Sequence, residues 1–189
     1  MRAYRAKDMA DSKADLLAGA GGLVTDEAQS DHQGRKALLL VRNNEDCDEF
    51  IALAKTMGIN IVDRVDQRGR SDAKWFMGQG KLQDVTEELR SASHGHPWNG
   101  VDLLLLHTNA TPRQLVGVND AVGIEVWDRV RLLLALFTAH ASSVEARTQV
   151  RIARLQSDRT VLREVVKQQT TGERAGYGGA GQTAAGSVL

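Results

Sequence analysis

The sequence predicts an α/β fold: a small, mainly parallel sheet flanked by helices, followed by a long helical hairpin and a glycine-rich flexible tail. Runs such as Ala37–Val41 and Val101–Leu106, which is apolar apart from Asp102, are typical of strands that are buried on both faces of a parallel sheet. Helical patterns lie between these runs, and strands joined through a helix pair in parallel with a right-handed crossover. The last 18 residues include six glycines and offer no apolar run for a core.

The first predicted unit is a strand, a helix and a second strand. The apolar run predicts a strand near residues 37–41, and Asn43 or Asn44 is expected to cap the helix that follows. Gly58 provides the stop at the end of this helix. A second strand is predicted near residues 59–65, and it should pair in parallel with the first strand.

The next elements alternate in the same way. Trp75–Met77 is expected to form a short strand, and the sequence Gly-Gln-Gly-Lys at residues 78–81 opens a helix. A third buried strand is predicted near residues 101–106. Pro112 then begins a helix, because proline is favoured at the first helical position. The last strand is predicted near residues 124–127.

From residue 130 the pattern becomes helical and predicts a two-helix arm. The first helix has an apolar face formed by Val130, Leu133, Leu134 and Phe137. Ser142 or Ser143 is expected to cap a longer helix that runs from Val144 to about Gln169. The spacing of its apolar residues predicts a coiled-coil-type seam, in which Arg159 takes one position. The apolar seam residues are Ile152, Leu155, Leu162 and Val166.

These patterns divide the chain into four predicted parts. Residues 1–35 are rich in small and polar side chains and are expected to form a disordered extension. Residues 36–129 form the α/β domain, residues 130–171 form the helical arm, and residues 172–189 form the glycine-rich tail.

Composition excludes several classes of protein. The 24 lysines and arginines balance the 24 aspartates and glutamates, which argues against a strongly basic protein that wraps nucleic acid. No run approaches the roughly 20 apolar residues of a membrane helix, and the first 15 residues are too charged for a signal peptide. Cys47, the single cysteine, cannot form an internal disulfide. We therefore expect a cytoplasmic protein with no membrane partner and an unreactive thiol.

One glycine-rich turn could bind an anion. Gly78 and Gly80 allow close backbone approach, the amides of a helix N-terminus point outward, and Lys81 adds a positive charge. A purely structural turn explains the same residues, so the pattern leaves both interpretations open. The similar sequence at residues 176–183 is not a phosphate loop, because Gln182 takes the place of the required lysine.

The histidines give no clear catalytic or metal site. The pair His94 and His96 lacks a third ligand at a suitable spacing, which favours an exposed loop. His107 follows a strand and could face a site at the carboxyl edge of the sheet, but the sequence supplies no nucleophile or carboxylate partner for it. We therefore predict neither a catalytic residue nor a metal ligand.

The long helix carries a basic stripe. Arg147, Arg151 and Arg154 are spaced at i, i+4 and i+7 and share one side of a helix. Between residues 142 and 174 the chain has seven basic and four acidic residues, although its total charge is zero. A basic helix of this kind can follow a phosphate backbone, and it can equally be a solvated face with intrahelical ion pairs.

Two segments together resemble the HflX family of ribosome-associated GTPases. The first is Phe76–Leu82, which is similar to the family's GxGK element. The second runs from Val126 to Leu155 and matches a long family signature in register, through Asp128-Arg129, Leu133, Phe137, Glu145-Ala146, Gln149-Val150 and Ala153. The glycine-rich stretch at residues 172–183 is similar to the loop that follows the arm in the family. His140 replaces a common arginine, and Gln182 replaces a common glutamate.

The resemblance implies an N-terminal α/β domain with a helical arm that binds the large ribosomal subunit and its RNA. It implies RNA-binding roles for Arg147, Arg151, Arg154, Lys167 and Arg174. Family members use GTP and Mg²⁺ in a separate GTPase domain, whose motifs do not occur in this sequence, so we expect the chain itself to hold no cofactor and not to hydrolyse GTP. The alternatives are a nucleotide-binding domain that uses Gly78, Gly80 and Lys81, or a truncated fragment of a GTP-binding HflX protein.

Overall fold

The computed structural model describes the backbone of residues 32–177 and the side chains of residues 32–171. Four parallel strands form one sheet in the order β2-β1-β3-β4. The strands are β1 Lys36–Arg42, β2 Asn60–Gln67, β3 Leu103–Leu106 and β4 Glu125–Trp127. The helices in this part of the chain are α1 Asp48–Thr56, α2 Gln79–Ser91, α3 Pro112–Val122, α4 Arg129–His140 and α5 Val144–Tyr177.

This architecture confirms the predicted α/β class, its parallel sheet and its long helical hairpin. The predicted extension, apart from its last four residues, lies outside the described residues, and so does the glycine-rich tail from residue 178 onward. The backbone of α5 continues to Tyr177, past the predicted end near Gln169. None of the described helices is both long and apolar enough to cross a membrane.

Two apolar clusters cover the two faces of the sheet, because successive side chains of a strand point in opposite directions. Leu38 and Leu40 of β1 face α2, α3 and the second half of α5. Leu39 and Val41 face α1 and α4 on the other side. All four side chains are fully buried. Burial on both faces explains why the strands appear in the sequence as apolar runs rather than as alternating patterns.

The turn after β1 differs from the prediction. Asn43 and Asn44 have φ angles of 54° and 53°, so they form a left-handed turn and do not cap α1. Asparagine adopts this region more readily than most residues do. The helix begins at Asp48, whose backbone N–H donates to the Asp46 carboxylate at 3.0 Å. The predicted stop at Gly58 is confirmed, because it follows α1 with a φ of 75°.

The predicted short strand at Trp75–Met77 does not form. The segment makes a single antiparallel bridge, between Asp72 and Phe76, and Phe76 has a φ of 62°, which is unusual for a bulky residue. The Asp72 carboxylate accepts hydrogen bonds from the backbone N–H groups of Lys74 and Trp75 at 2.6 and 2.8 Å. A tight turn therefore satisfies amides that a strand would have paired with a neighbour.

The arm packs through faces other than those predicted from its apolar spacing. In α4 the buried residues are Arg131 and Leu132, whereas Val130 and Phe137 are exposed. In α5 the residues packed on the core are Val161 and Val165. The predicted seam residues of α5 are exposed instead. Apolar residues lie on almost every side of α4, so their spacing in the sequence does not identify which face is buried.

Candidate functional site

Asp128 fixes the start of the arm. One carboxylate oxygen accepts a hydrogen bond from the backbone N–H of Arg131 at 2.9 Å and caps α4. The other oxygen accepts from the N–H of Ala110 at 3.0 Å, which joins the arm to the loop after β3. Burial raises the pKa of Asp128, and the two N–H donors only partly offset this effect. Asp128 of the sequence signature thus has a structural role.

A buried ion pair then joins the two helices of the arm. A guanidinium nitrogen of Arg131 in α4 lies 3.5 Å from a carboxylate oxygen of Asp158 in α5, and the two side chains are 6% and 17% exposed. Burial lowers the pKa of Arg131 and raises the pKa of Asp158, even though each charge attracts the other. The cost of desolvation therefore exceeds the attraction within the pair.

The basic stripe divides into a surface part and a structural part. Arg147 and Arg151 are exposed on α5. Arg154 is half-buried, and its guanidinium donates to the hydroxyl oxygen of Thr138 in α4 at 3.4 Å. Arg154 therefore helps to hold the two helices together, and Arg147 and Arg151 are the members of the stripe that a partner can reach.

The other two predicted RNA-binding residues do not extend this stripe. Lys167 is exposed, but a helix turns by about 100° per residue, which places Lys167 on roughly the opposite side of α5 from Arg147 and Arg151. Arg174 belongs to the last turns of α5, and its side chain lies outside the described residues. The structure therefore brings Arg147, Arg151 and Arg154 together and separates Lys167 from them.

The acidic side chains of α5 are mostly engaged elsewhere. Asp158 points inward to Arg131, and Glu164 is half-buried and accepts a hydrogen bond from Gln168 at 3.1 Å. Glu145, in the first turn, is the exposed carboxylate among the residues of α5 with described side chains. The outward charge of α5 is therefore more positive than its sequence count suggests.

The candidate nucleotide-binding turn lies at the start of α2, as predicted. Gly78 is the N-cap residue, and its backbone N–H donates to the side-chain oxygen of Gln67 at 2.7 Å. Gly80 has open space where a side chain would lie. Lys81 is half-buried and lines a cavity of about 270 Å³ between α2 and the β2 edge.

The charges around this cavity oppose an anionic ligand. Its lining includes one other cation, Arg64, whose guanidinium is already paired with Asp66 at 2.6 Å. The carboxylates in the lining are Asp63, Asp66, Asp84 and Glu88. Trp98 closes one side of the cavity, and its indole N–H donates to Asp63 at 2.7 Å. Four carboxylates against two cations make the cavity itself an unfavourable place for a phosphate group.

The remaining candidates from the sequence have local structural roles. His107 is nine-tenths buried at the end of β3, with Nδ1 at 3.4 Å from Glu45 and its ring edge-on to Phe50. His96 accepts a hydrogen bond from the backbone N–H of Trp98. No three His, Cys, Asp or Glu side chains among the described residues are placed to hold a metal ion.

Cys47 is buried beneath the turn after β1. Its sulfur lies 3.0 Å from a guanidinium nitrogen of Arg64, which donates a hydrogen bond to it. Burial raises the pKa of the Cys47 thiol despite the nearby Arg64 charge, and the flanking aspartates add to the rise. The thiol therefore remains protonated near neutral pH, in agreement with the predicted lack of reactivity.

Sequence reasoning missed the residues that position the arm. A cap at Asp128 could have been found, because aspartate directly before a helical apolar run is a common start signal. The pairing of Arg131 with Asp158 left no local signal, since 27 positions separate the two residues. An arginine inside the otherwise apolar stretch of α4 was the one hint of a buried partner.

The fold and the sequence match together define an N-terminal domain of GTP-binding GTPases. The family described as GTP-binding GTPase N-terminal matches residues 44–138, half of the chain. The "GTPase HflX" of Hyperthermus butylicus is 30% identical over 133 residues, which are 70% of this chain and 34% of that protein. The "GTPase HflX" of Thermococcus kodakarensis is 28% identical over 134 residues, 71% of this chain and 29% of that protein.

The chain belongs to the HflX family, and it spans about a third of the length of these curated relatives. A solved structure has the same fold: a GTP-binding protein from Sulfolobus solfataricus in complex with GDP superposes with a TM-score of 0.55 at 23% identity. That superposition covers 74% of this chain and 42% of the other chain.

Proposed function

We propose that this chain is a ribosome-binding domain that contacts the RNA of the large subunit through Arg147 and Arg151 of α5. Membership of the HflX family supports the assignment, together with the resemblance of residues 126–155 to the signature of the ribosome-associated members. With a ribosome as its partner, the protein would act in the cytoplasm.

The observation that carries the proposal is the separation of charge on α5. Arg147 and Arg151 face solvent one turn apart, whereas Asp158 and Glu164 are engaged within the protein. Two cations about 6 Å apart along a helix can contact neighbouring phosphates of a nucleic-acid backbone. A solvated face would more often alternate both signs of charge.

Salt dependence tests this function directly. Each contact between a cation and a phosphate contributes roughly 0.7 to 0.9 to the slope of log affinity against log salt concentration. We therefore expect Arg147→Ala/Arg151→Ala to bind purified large subunits more weakly, with a slope shallower by about 1.5. Arg154 stays in place, because its contact with Thr138 would make a loss of binding ambiguous.

The matched control removes two exposed cations from other surfaces. Lys55 lies in the last turn of α1 and Arg90 in the last turn of α2, and both are exposed. Lys55→Ala/Arg90→Ala lowers the net charge by the same amount, and we expect it to keep the parent slope. Equal slopes for the two double variants would refute the specific role of Arg147 and Arg151.

A second candidate function is nucleotide binding at the start of α2. The open space at Gly80 and the outward amides of the helix N-terminus favour it, whereas the carboxylates around Lys81 oppose it. A ligand present at 100 times its Kd stabilises a folded protein by about 2.7 kcal/mol. A GTP- or ATP-dependent rise in melting temperature that Lys81→Ala abolishes would support this candidate, and no rise with either nucleotide would dismiss it.

A further inference from the structure

The side of α5 that faces away from the core carries an apolar surface, which we call the outer apolar stripe. Its residues are Val144, Ile152, Leu155, Leu162 and Val166, and they are between 41% and 66% exposed. Isolated exposed apolar residues are common, but four of these five lie within residues 152–166 at the spacing of one helix side. Patches of this kind mark interaction surfaces.

The spacing of the stripe fits a helical or extended partner that lies along α5. Ile152, Leu155, Arg159, Leu162 and Val166 follow alternating steps of three and four residues, the period by which one helix packs along another. Val161 and Val165 already pack on the core, and the stripe residues Leu162 and Val166 lie about 100° further round the helix. A helix with apolar residues over so much of its circumference is normally covered on more than one side.

The charge around the stripe indicates what covers it. Arg159 lies within the stripe, and basic residues border it. The bordering residues are Arg147, Arg151 and Arg163. A second copy of α5 laid on this surface would bring arginines against arginines, which is unfavourable. The surface instead fits a segment that combines apolar residues with several carboxylates.

We propose that residues 8–31 of this same chain dock on the outer apolar stripe. This segment contains six acidic residues and one lysine, although the whole chain has no net charge. The acidic residues are Asp8, Asp11, Asp15, Asp26, Glu27 and Asp31. Its larger apolar residues are Met9, Leu16, Leu17, Leu23 and Val24. Both its charge and its apolar content complement the surface of α5.

The segment is attached next to α4, on the face of the sheet opposite to the one that α5 covers, so it has to pass around the edge strand β4 to reach the stripe. The ring of His32, the first described residue, packs edge-on against Trp127 at 4.8 Å between ring centroids. Trp127 ends β4, the edge strand that leads directly into the arm. An extended chain spans about 3.4 Å per residue, so 24 residues reach roughly 80 Å, more than twice the roughly 33 Å from Val144 to Val166 along α5.

Docking would also regulate the proposed RNA contact, a consequence that rests on the proposed function. Arg147 and Arg151 border the stripe, so the acidic segment and an RNA backbone would compete for them. A tethered segment has an effective concentration of millimolar order. If its intrinsic dissociation constant is similar, it occupies the surface about half of the time and weakens ribosome binding about twofold.

Photo-crosslinking in the full chain tests the docking without the ribosome. A photo-reactive amino acid is placed at Leu155, which is 55% exposed, and a matched probe is placed at Glu87 on the exposed side of α2. Mass spectrometry of the monomer is expected to find crosslinks from position 155 to residues 8–31 and none from position 87. Substituting Asp26→Asn, Glu27→Gln and Asp31→Asn should reduce the crosslink yield severalfold.

Three outcomes would overturn the proposal. They are a crosslink from position 155 only between two copies of the chain, equal yields to residues 8–31 from both probe positions, and no crosslink to these residues at all. The proposed function is judged separately from the salt slope of Arg147→Ala/Arg151→Ala. A failure of docking is therefore distinguishable from a failure of RNA binding.

Discussion

Removing one partner of the Arg131–Asp158 pair should destabilise the whole chain. Asp158→Ala removes the carboxylate that lies 3.5 Å from the Arg131 guanidinium, which is 6% exposed, while Glu125 and Asp128 still attract that charge. Breaking a buried ion pair in this way costs about 3–5 kcal/mol, and the 17% exposure of Asp158 places the expected loss near 3 kcal/mol. For a chain of this size such a loss lowers the melting temperature by roughly 6–12 °C.

The double variant separates the energy of the pair from the cost of burying a single charge. Burial lowers the pKa of Arg131 and raises the pKa of Asp158, so desolvation exceeds their mutual attraction. Arg131→Met/Asp158→Leu should therefore recover most of the loss and lie within about 1 kcal/mol of the parent. Urea unfolding of the parent, Arg131→Met, Asp158→Leu and the double variant, followed by circular dichroism, gives the coupling energy.

An exposed pair provides the matched control for this cycle. Arg129 contacts Glu49 at 2.6 Å, but the Glu49 side chain is 75% exposed. Glu49→Ala should cost no more than about 1 kcal/mol, because solvent screens such pairs. If Asp158→Ala costs no more than Glu49→Ala, or if the double variant is as unstable as Asp158→Ala, the argument from burial is wrong.

Three further predictions concern the sheet domain. Gly117→Ala should lower the free energy of unfolding in urea by about 1–2 kcal/mol, because the new methyl group would meet the carbonyl oxygen of Lys74. The gain in helix propensity would only partly offset this clash. An unchanged urea midpoint would contradict the prediction. Asp128→Ala should lower the free energy of unfolding by about 2–4 kcal/mol, since it removes the cap of α4 and leaves the Ala110 N–H without its acceptor. A loss of less than about 1 kcal/mol would refute both roles of Asp128. Backbone N–H donors lower the pKa of Asp72, so its carboxylate stabilises the fold above the unfolded pKa near 3.9, and this stability is lost as the pH falls. The free energy of unfolding of Asp72→Asn should therefore differ most from that of the parent near pH 6 and converge with it near pH 2. A difference that stays constant with pH would contradict this.

The sheet could be predicted from the sequence because the residue patterns that specify its strands are local. The apolar runs of β1 and β3 contain the signal for burial on both faces, and the helices between them dictate parallel pairing. The start of α3 was equally clear, because proline is favoured at the first helical position and the helix begins at Pro112.

The packing of the arm could not be predicted in the same way. The stretch Leu132–Phe137 is apolar on every side of α4, so spacing alone does not identify the face that contacts α1 or α5. In α5 the apolar period predicts a seam, and the residues with that period are the exposed ones. The buried face is determined by Val161 and Val165 meeting the core and by a charge pair with α4, and none of these long-range contacts leaves a local pattern.

The candidate site was predicted in part. The period of a helix was sufficient to place Arg147 and Arg151 on one side of α5. Arg154 shares that side in the sequence, but its contact with Thr138 depends on how α4 and α5 pack. The resemblance to the family grouped Lys167 with the stripe, and the turn of the helix separates them.

Directed hydroxyl-radical probing on the large ribosomal subunit tests the central claim most directly. Cys47 is buried and its pKa is raised, so an iron chelate attaches selectively to a new cysteine at Thr148→Cys, between the two arginines, or at Glu87→Cys on α2. The account predicts localised cleavage of large-subunit RNA from position 148 and none from position 87. Bound protein that gives no localised cleavage from position 148, or the same cleavage from both positions, would contradict an RNA-contacting face at Arg147 and Arg151.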